Sequence, residues 1–240
     1  MLVESVVIEG RFRGPPRSAN GGYACGVIAG PIGSPATVRL FAPPPLDTEM
    51  RLEIDGDATR LRHGDTLIGA GRRSGLDLAP PSAPTFDEAA EAAIRYIGHT
   101  AHTFPTCFVC GPLRESGDGL RIFPGPVTAR NVVASPWIPD PTLANAVGVV
   151  APVYLWSALD CTGAFAVYPE TLDRAIVLGE LTAILVGQAV PGERLVTTGW
   201  ALGAAGRKRY AGSAVYAPDG TPIAVARATW IEVPLAAFAA

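Results

Sequence analysis

From Ala146 to Tyr168 the chain carries a single charged side chain, Asp160, inside its most apolar stretch. A run of this kind has two physical outlets, a bilayer or the inside of a protein core, because roughly 20 apolar helical residues suffice to cross a membrane. Pro152 and Gly163 within the run, Asp160 near its middle and the lack of Lys or Arg at either boundary favour the core. The expectation is a helix buried on all sides. An ionised Asp without partners in an apolar interior costs several kcal/mol, so Asp160 must be paired, shifted in pKa, or both.

Behind this run come four segments rich in Val, Ile, Thr and aromatics, "AIVLGELTAILVGQAV", "ERLVTTGWAL", "KRYAGSAVYA" and "PIAVARATWIEV", broken at "PGE", "GAAGR" and "PDGT". They predict an antiparallel meander, and "GLRIFPGPVTARNVVASPW" predicts a further strand or pair ahead of the helix. The N-terminal third repeats the plan in shorter form, with a strand at "ESVVIEGRFRG", a small-residue helix at "NGGYACGVIAG", then strands at "ATVRLFAPPP", "EMRLEIDG", "ATRLRHG" and "TLIGAGRRS". Pro45–Glu53 aligns with Ala189–Thr197, and Asp65–Ser74 with Gly220–Thr229, which indicates an internal duplication. Between the halves lies a Pro- and Ser-bearing linker, then a short helix that Asp87 would cap.

The 240 residues and their apolar content suffice for one large domain or two small ones. The formal net charge is −3 and Lys and Arg form no long block, so the electrostatic footprint of a nucleic-acid binder is missing. "MLVESVVIEG" carries two Glu and lacks the basic start, apolar core and cleavage site of a signal peptide, so the expected compartment is the cytoplasm, with no membrane partner. Four scattered cysteines, Cys25, Cys107, Cys110 and Cys161, suit reduced thiols better than a disulfide framework.

A strand, a buried helix and an antiparallel meander, twice over, resembles the hotdog fold. The second half is similar in particular to hotdog acyl-CoA thioesterases through "CFVCG" (Cys107–Gly111), "GLRI" (Gly119–Ile122), "GVVAPVYLWSALD" (Gly148–Asp160), "PGERL" and "GRKRYAGSAVYAPDGTPIAVARATWI". The first half resembles them through "SANGGY" (Ser18–Tyr23) and its strand order. The resemblance implies an α+β chain of two tandem hotdog domains, each an antiparallel sheet wrapped around a central helix. These would span residues 1–80 and 106–240, with a linker and short helix over 81–105. It implies an acyl-CoA or other acyl thioester as substrate, the coenzyme A moiety being part of that substrate, with no separate cofactor. Hotdog modules leave a sheet edge and a helix face to be covered, so association into a homo-oligomer, a dimer or trimer, is also expected.

In the thioesterases that the chain resembles, backbone N–H groups at the start of the central helix stabilise the oxyanion, and an Asp or Glu about two turns along the partner's helix acts as base or nucleophile. These requirements fall on different halves here. Asn20 is a good N-cap, and Gly21, Gly22 and Tyr23 would present amides at the positive end of the first helix, whose acid slot is Ala29. In the second half Ala151, Pro152 and Val153 take the turn positions, Pro152 lacks an N–H, and Asp160 fills the acid slot. One composite site is expected, with antiparallel helices bringing Asp160 to about 5 to 7 Å from the Gly21–Tyr23 amides, a water-bridged distance. The structural alternatives are a Gly-rich turn capped by Asn20 and a buried carboxylate satisfied by its neighbours.

Arg207, Lys208 and Arg209 in "GRKRY" form the densest basic cluster, either a contact for coenzyme A phosphates or a solvated hairpin turn. His99, His102, Cys107 and Cys110 offer zinc-type ligands, but their spacing is only loosely finger-like, and the expectation is packed thiols without metal. Cys25 and Cys161 are expected as small buried residues, and no Cys–His nucleophile pair is evident. The first functional reading is a thioesterase. The alternative is a non-catalytic acyl-thioester or lipid binder, suggested by Pro152 and by the lack of a His before Gly21.

Overall fold

The computed structural model describes residues 1–169, 171 and 173–238. The first half runs β1 (Leu2–Val7), α1 (Gly21–Ala29), β2 (Ala36–Leu40), β3 (Glu49–Asp55), β4 (Ala58–His63) and β5 (Thr66–Arg73). The second runs α2 (Phe86–Ile94), β6 (Gly125–Pro126), β7 (Val133–Trp137), α3 (Pro152–Phe165), β8 (Arg174–Leu185), β9 (Leu195–Ala205), β10 (Lys208–Tyr216) and β11 (Pro222–Pro234).

All strands join one antiparallel sheet in the order β1-β3-β4-β5-β2-β8-β11-β10-β9-β7-β6. This order displays the duplication. β2 and β8, each the first strand after a central helix, pair at the middle, and β5, β4, β3 and β1 on one side answer β11, β10, β9 and β7 on the other. The corresponding hairpins β3–β4 and β9–β10 each turn on two residues that begin with a glycine, Gly56 and Gly206, both at φ 57. A side chain is strained in that left-handed region, which is why "DGD" and "AGR" punctuate the pattern.

Alternation along the strands builds a core on each face of the sheet. Leu195 of β9 belongs to the main core with α1 and α3, whereas its neighbour Val196 packs with Ala89 and Ala92 of α2. The linker also packs: Leu76, Leu78 and Ala83 lie against Tyr216 and Val225, and the Tyr216 hydroxyl donates to Pro81 O at 2.5 Å. Helix α2 is capped by Thr85, whose Oγ1 accepts from Glu88 N at 3.1 Å while the Glu88 carboxylate accepts from Thr85 N at 2.7 Å. Thr85 therefore takes the role expected of Asp87, because the reciprocal capping box satisfies two N–H groups at once. Asp87 in the first turn pairs with Arg194 at 3.1 Å.

Helix α3 starts on Pro152, where a missing N–H leaves no helical bond unmade, and every residue from Leu155 to Phe165 is buried. Helix α1 crosses it at Gly22 and Gly26. A Cβ at Gly22 would lie 2.4 Å from Asp160 Cβ and 2.5 Å from Trp156 O, and one at Gly26 would lie 2.9 Å from Val153 Cα. Advancing along α1 thus retreats along α3, so the helices run antiparallel. Among the described residues no helix is long and apolar enough to cross a membrane.

Candidate active site

The first turn of α1 leaves N–H groups with no intrahelical acceptor, and two of them find partners here. Asn20 Oδ1 accepts from Tyr23 N at 2.9 Å. The Gly22 N–H donates to Asp160 Oδ2 at 2.8 Å, and Asn20 Nδ2 donates to the same oxygen at 2.9 Å. Asp160 is 2 % exposed, and its second oxygen, Oδ1, has no hydrogen-bond partner among the described residues. Burial pushes the Asp160 pKa up to about 7, the Gly22 amide pulls it down, the Cys107 sulfur adds to the rise and Asn20 opposes it.

The carboxylate borders a cavity of about 470 Å³. Its walls come from both halves: Leu40 and Gly21 from the first, Phe165, Tyr168, Leu178 and Trp230 from the second. Trp230 Nε1–H is buried with no acceptor among the described residues and lies next to Gly163 of α3.

The helices bring Asn20, Gly21, Gly22 and Asp160 together, but closer than a bridging water allows. With no side chain at Gly22, α3 approaches until carboxylate and amide touch, so the expected separation gives way to direct contact. Two amides expected to face a substrate are consequently engaged, Gly22 N with Asp160 and Tyr23 N with Asn20. The Gly21 N–H remains without an acceptor among the described residues, and Gly21 lines the cavity. The Tyr23 ring instead stacks on Phe12 at 4.1 Å between centroids, beside Phe108 and Tyr154, and burial raises its phenol pKa.

Cys107, Cys110 and Cys161 line the same cavity, their sulfurs within 4.8 Å of one another and the Cys107–Cys161 pair at 3.7 Å. Hydrogen bonds from the Cys110 and Cys161 thiols hold the Cys107 thiol well below the ordinary range against the effect of burial. His102 Nε2 lies 3.3 Å from Cys110 Sγ, so of the two histidines grouped with the cysteines in the sequence, His102 is the one that reaches a sulfur. His102 Nδ1 accepts from Phe104 N at 2.9 Å, which puts the proton of the neutral ring on Nε2. The ring is therefore a donor to the sulfur and not a base. His99 turns elsewhere, its Nε2 3.1 Å from Ala93 O and its ring against Tyr96.

The basic cluster stays away from the cavity. Arg207 and Lys208 are exposed on the β9–β10 hairpin, Arg209 pairs with Glu232 at 2.6 Å, and none of the three lines the cavity wall. Strand register explains this, since the hairpin carries the cluster to the far tip of β10.

This architecture is the double-hotdog fold of thioesterase II structures. The tesB protein of Mycobacterium avium subspecies paratuberculosis matches with a TM-score of 0.63 over 97 % of this chain and 93 % of its own, at 13 % identity. The acyl-CoA thioesterase II TesB2 of Mycobacterium marinum matches with a TM-score of 0.59 over 97 % and 93 %, at 10 % identity. No protein-family model matches the sequence, and no curated protein matches it either. The likeness is one of fold.

Proposed function

We propose that the chain hydrolyses acyl thioesters, acyl-CoA being the substrate class, at one composite site where α1 and α3 cross. One observation carries this reading: beside an apolar-walled cavity, Asp160 has one oxygen held by two donors and the other without a partner. The bonds to Oδ2 favour the ionised form and fix the carboxylate plane, leaving Oδ1 to receive a proton. A cavity of about 470 Å³ is of the size that takes a small-molecule ligand.

In the reaction, Asp160 Oδ1 accepts a proton from a water whose oxygen bonds to the thioester carbonyl carbon. The carbonyl oxygen becomes an oxyanion, and the Gly21 amide is the donor left to stabilise it. Collapse of the adduct breaks the C–S bond, and the thiol departs with the proton returned by Asp160. A carboxylic acid and a free thiol result. The thioesterase names of the two matching structures support the same class by analogy of fold.

A panel of acyl-CoA esters assayed for thiol release tests this. Asp160→Asn is expected to lower kcat by about 100-fold or more while calorimetric binding of the substrate changes little, since the group acts in the transition state. Unchanged turnover in the variant removes Asp160 from the chemistry. Binding without turnover in the unmodified protein makes the chain an acyl-thioester binder, as the occupied Gly22 and Tyr23 amides would suit.

A further inference from the structure

We propose that Cys107, Cys110 and Cys161 hold a zinc ion in the cavity wall, with three thiolates from the protein and the fourth position open to the cavity. Zn–S bonds of about 2.3 Å in a tetrahedron put sulfurs roughly 3.8 Å apart. Here Cys107 and Cys161 are 3.7 Å apart, and all three sulfurs lie within 4.8 Å of one another. Small side-chain rotations close the remainder.

Two of the ligands come from a C-x-x-C turn and the third from α3. The turn is braced on all sides: Gly111 N donates to Cys107 O at 2.9 Å, Phe108 N to Arg13 O at 2.8 Å, and Leu120 N to Phe108 O at 2.9 Å. A Cβ at Gly111 would lie 2.5 Å from Cys107 O, so the glycine after the second cysteine is needed for the turn to close.

The sulfurs are also surrounded by N–H donors, which neutral packed thiols do not require. Asn20 Nδ2 points at Cys161 Sγ from 3.5 Å and at Cys107 Sγ from 3.9 Å, and His102 Nε2–H points at Cys110 Sγ from 3.3 Å. Each sulfur thus has a donor beside it, the outer arrangement that tunes thiolate ligands in metal sites. His102 serves from outside the ligand set, because the Phe104 N–H on its Nδ1 keeps the proton on the nitrogen facing the sulfur. Soft thiolates select zinc among the common divalent ions, and binding releases the thiol protons to solvent. The ligand set differs from the one spacing suggested: His99 and His102 drop out, and Cys161 enters from a distant helix.

Metal content is measurable without substrate, so this proposal stands or falls apart from the thioesterase reading. Full-length protein purified from zinc-supplemented culture without chelator is expected to carry about one zinc per chain by elemental analysis. Cys107→Ser and Cys161→Ser should lose most of it, whereas Cys25→Ser, buried on α1 outside the cluster, should keep it. His102→Ala should weaken zinc binding by about 10- to 100-fold without removing the site. Because a serine in the core can unfold the chain, the unmodified protein stripped of metal under reducing conditions is titrated with Co(II). Thiolate-to-cobalt charge-transfer absorption with the visible bands of tetrahedral cobalt, bleached by added zinc, is the expected result. Purified protein without zinc that also develops no such absorption overturns the proposal, as does full zinc retention in a folded Cys161→Ser variant.

Discussion

Helix α1 meets α3 twice, and only one of the two crossings carries chemistry. At Gly22 the partner is Asp160, whose carboxylate takes the amide hydrogen at 2.8 Å; at Gly26 the partners are Val153 and Trp156, and the contact is apolar. Both glycines admit α3 to contact distance. The difference lies in the backbone, since amides in the first turn of a helix have no internal acceptor, whereas those further along are already bonded. A buried carboxylate opposite Gly26 would find nothing to pair with, while opposite Gly22 it completes the helix cap from across the interface. Asp160 is thus tolerated where the neighbouring helix begins.

The strongest way to break this comparison is to add a methyl group at the first crossing. Gly22→Ala places a Cβ 2.5 Å from Trp156 O, a backbone atom that cannot swing aside. A loss of about 3 kcal/mol in urea unfolding is expected, beyond what the better helix propensity of Ala returns. A loss below about 1 kcal/mol would mean that the helices part without penalty.

Asn20→Ala sharpens the comparison by removing polar bonds and leaving the packing. It deletes the cap on Tyr23 N and one of the two donors to Asp160, so a loss of about 2 kcal/mol is expected from the same measurement. Asn20→Ser should restore roughly half, because the shorter side chain can still cap α1 but does not reach the carboxylate. Full rescue by Ser would show that the bond from Asn20 to Asp160 contributes nothing.

The smallest effect is expected at the far end of α1. Gly30 is exposed and helical at φ −46, and a Cβ there would approach Val27 O no closer than 3.3 Å. Gly30→Ala should change stability by less than about 0.5 kcal/mol, or raise it slightly, because the conformation suits Ala. A large loss would remove the contrast between the buried crossing and the free end.

Short-range physics made much of the fold legible in the sequence. Alternating β-branched residues marked the strands, Asn20 and Pro152 marked the starts of the two central helices, and the repeated order of elements anticipated the mirrored sheet. The asymmetry between a glycine turn without an acid and an acid without a usable turn was likewise readable, as it depends only on residue identity. Thr85 was readable too, through the Glu three positions on, and was passed over in favour of the nearer Asp87.

Tertiary packing decided the rest. Asp160 engages the Gly22 amide across 138 positions of sequence, and Cys161 joins Cys107 across 54. Spacing along a chain states which residues share a helix face, but the gap between two helices is set by the side chains at their crossing. With glycine at position 22 that gap closes, so a carboxylate expected to face a water-bridged amide bonds to it directly, and a cysteine expected to fill space arrives beside two others.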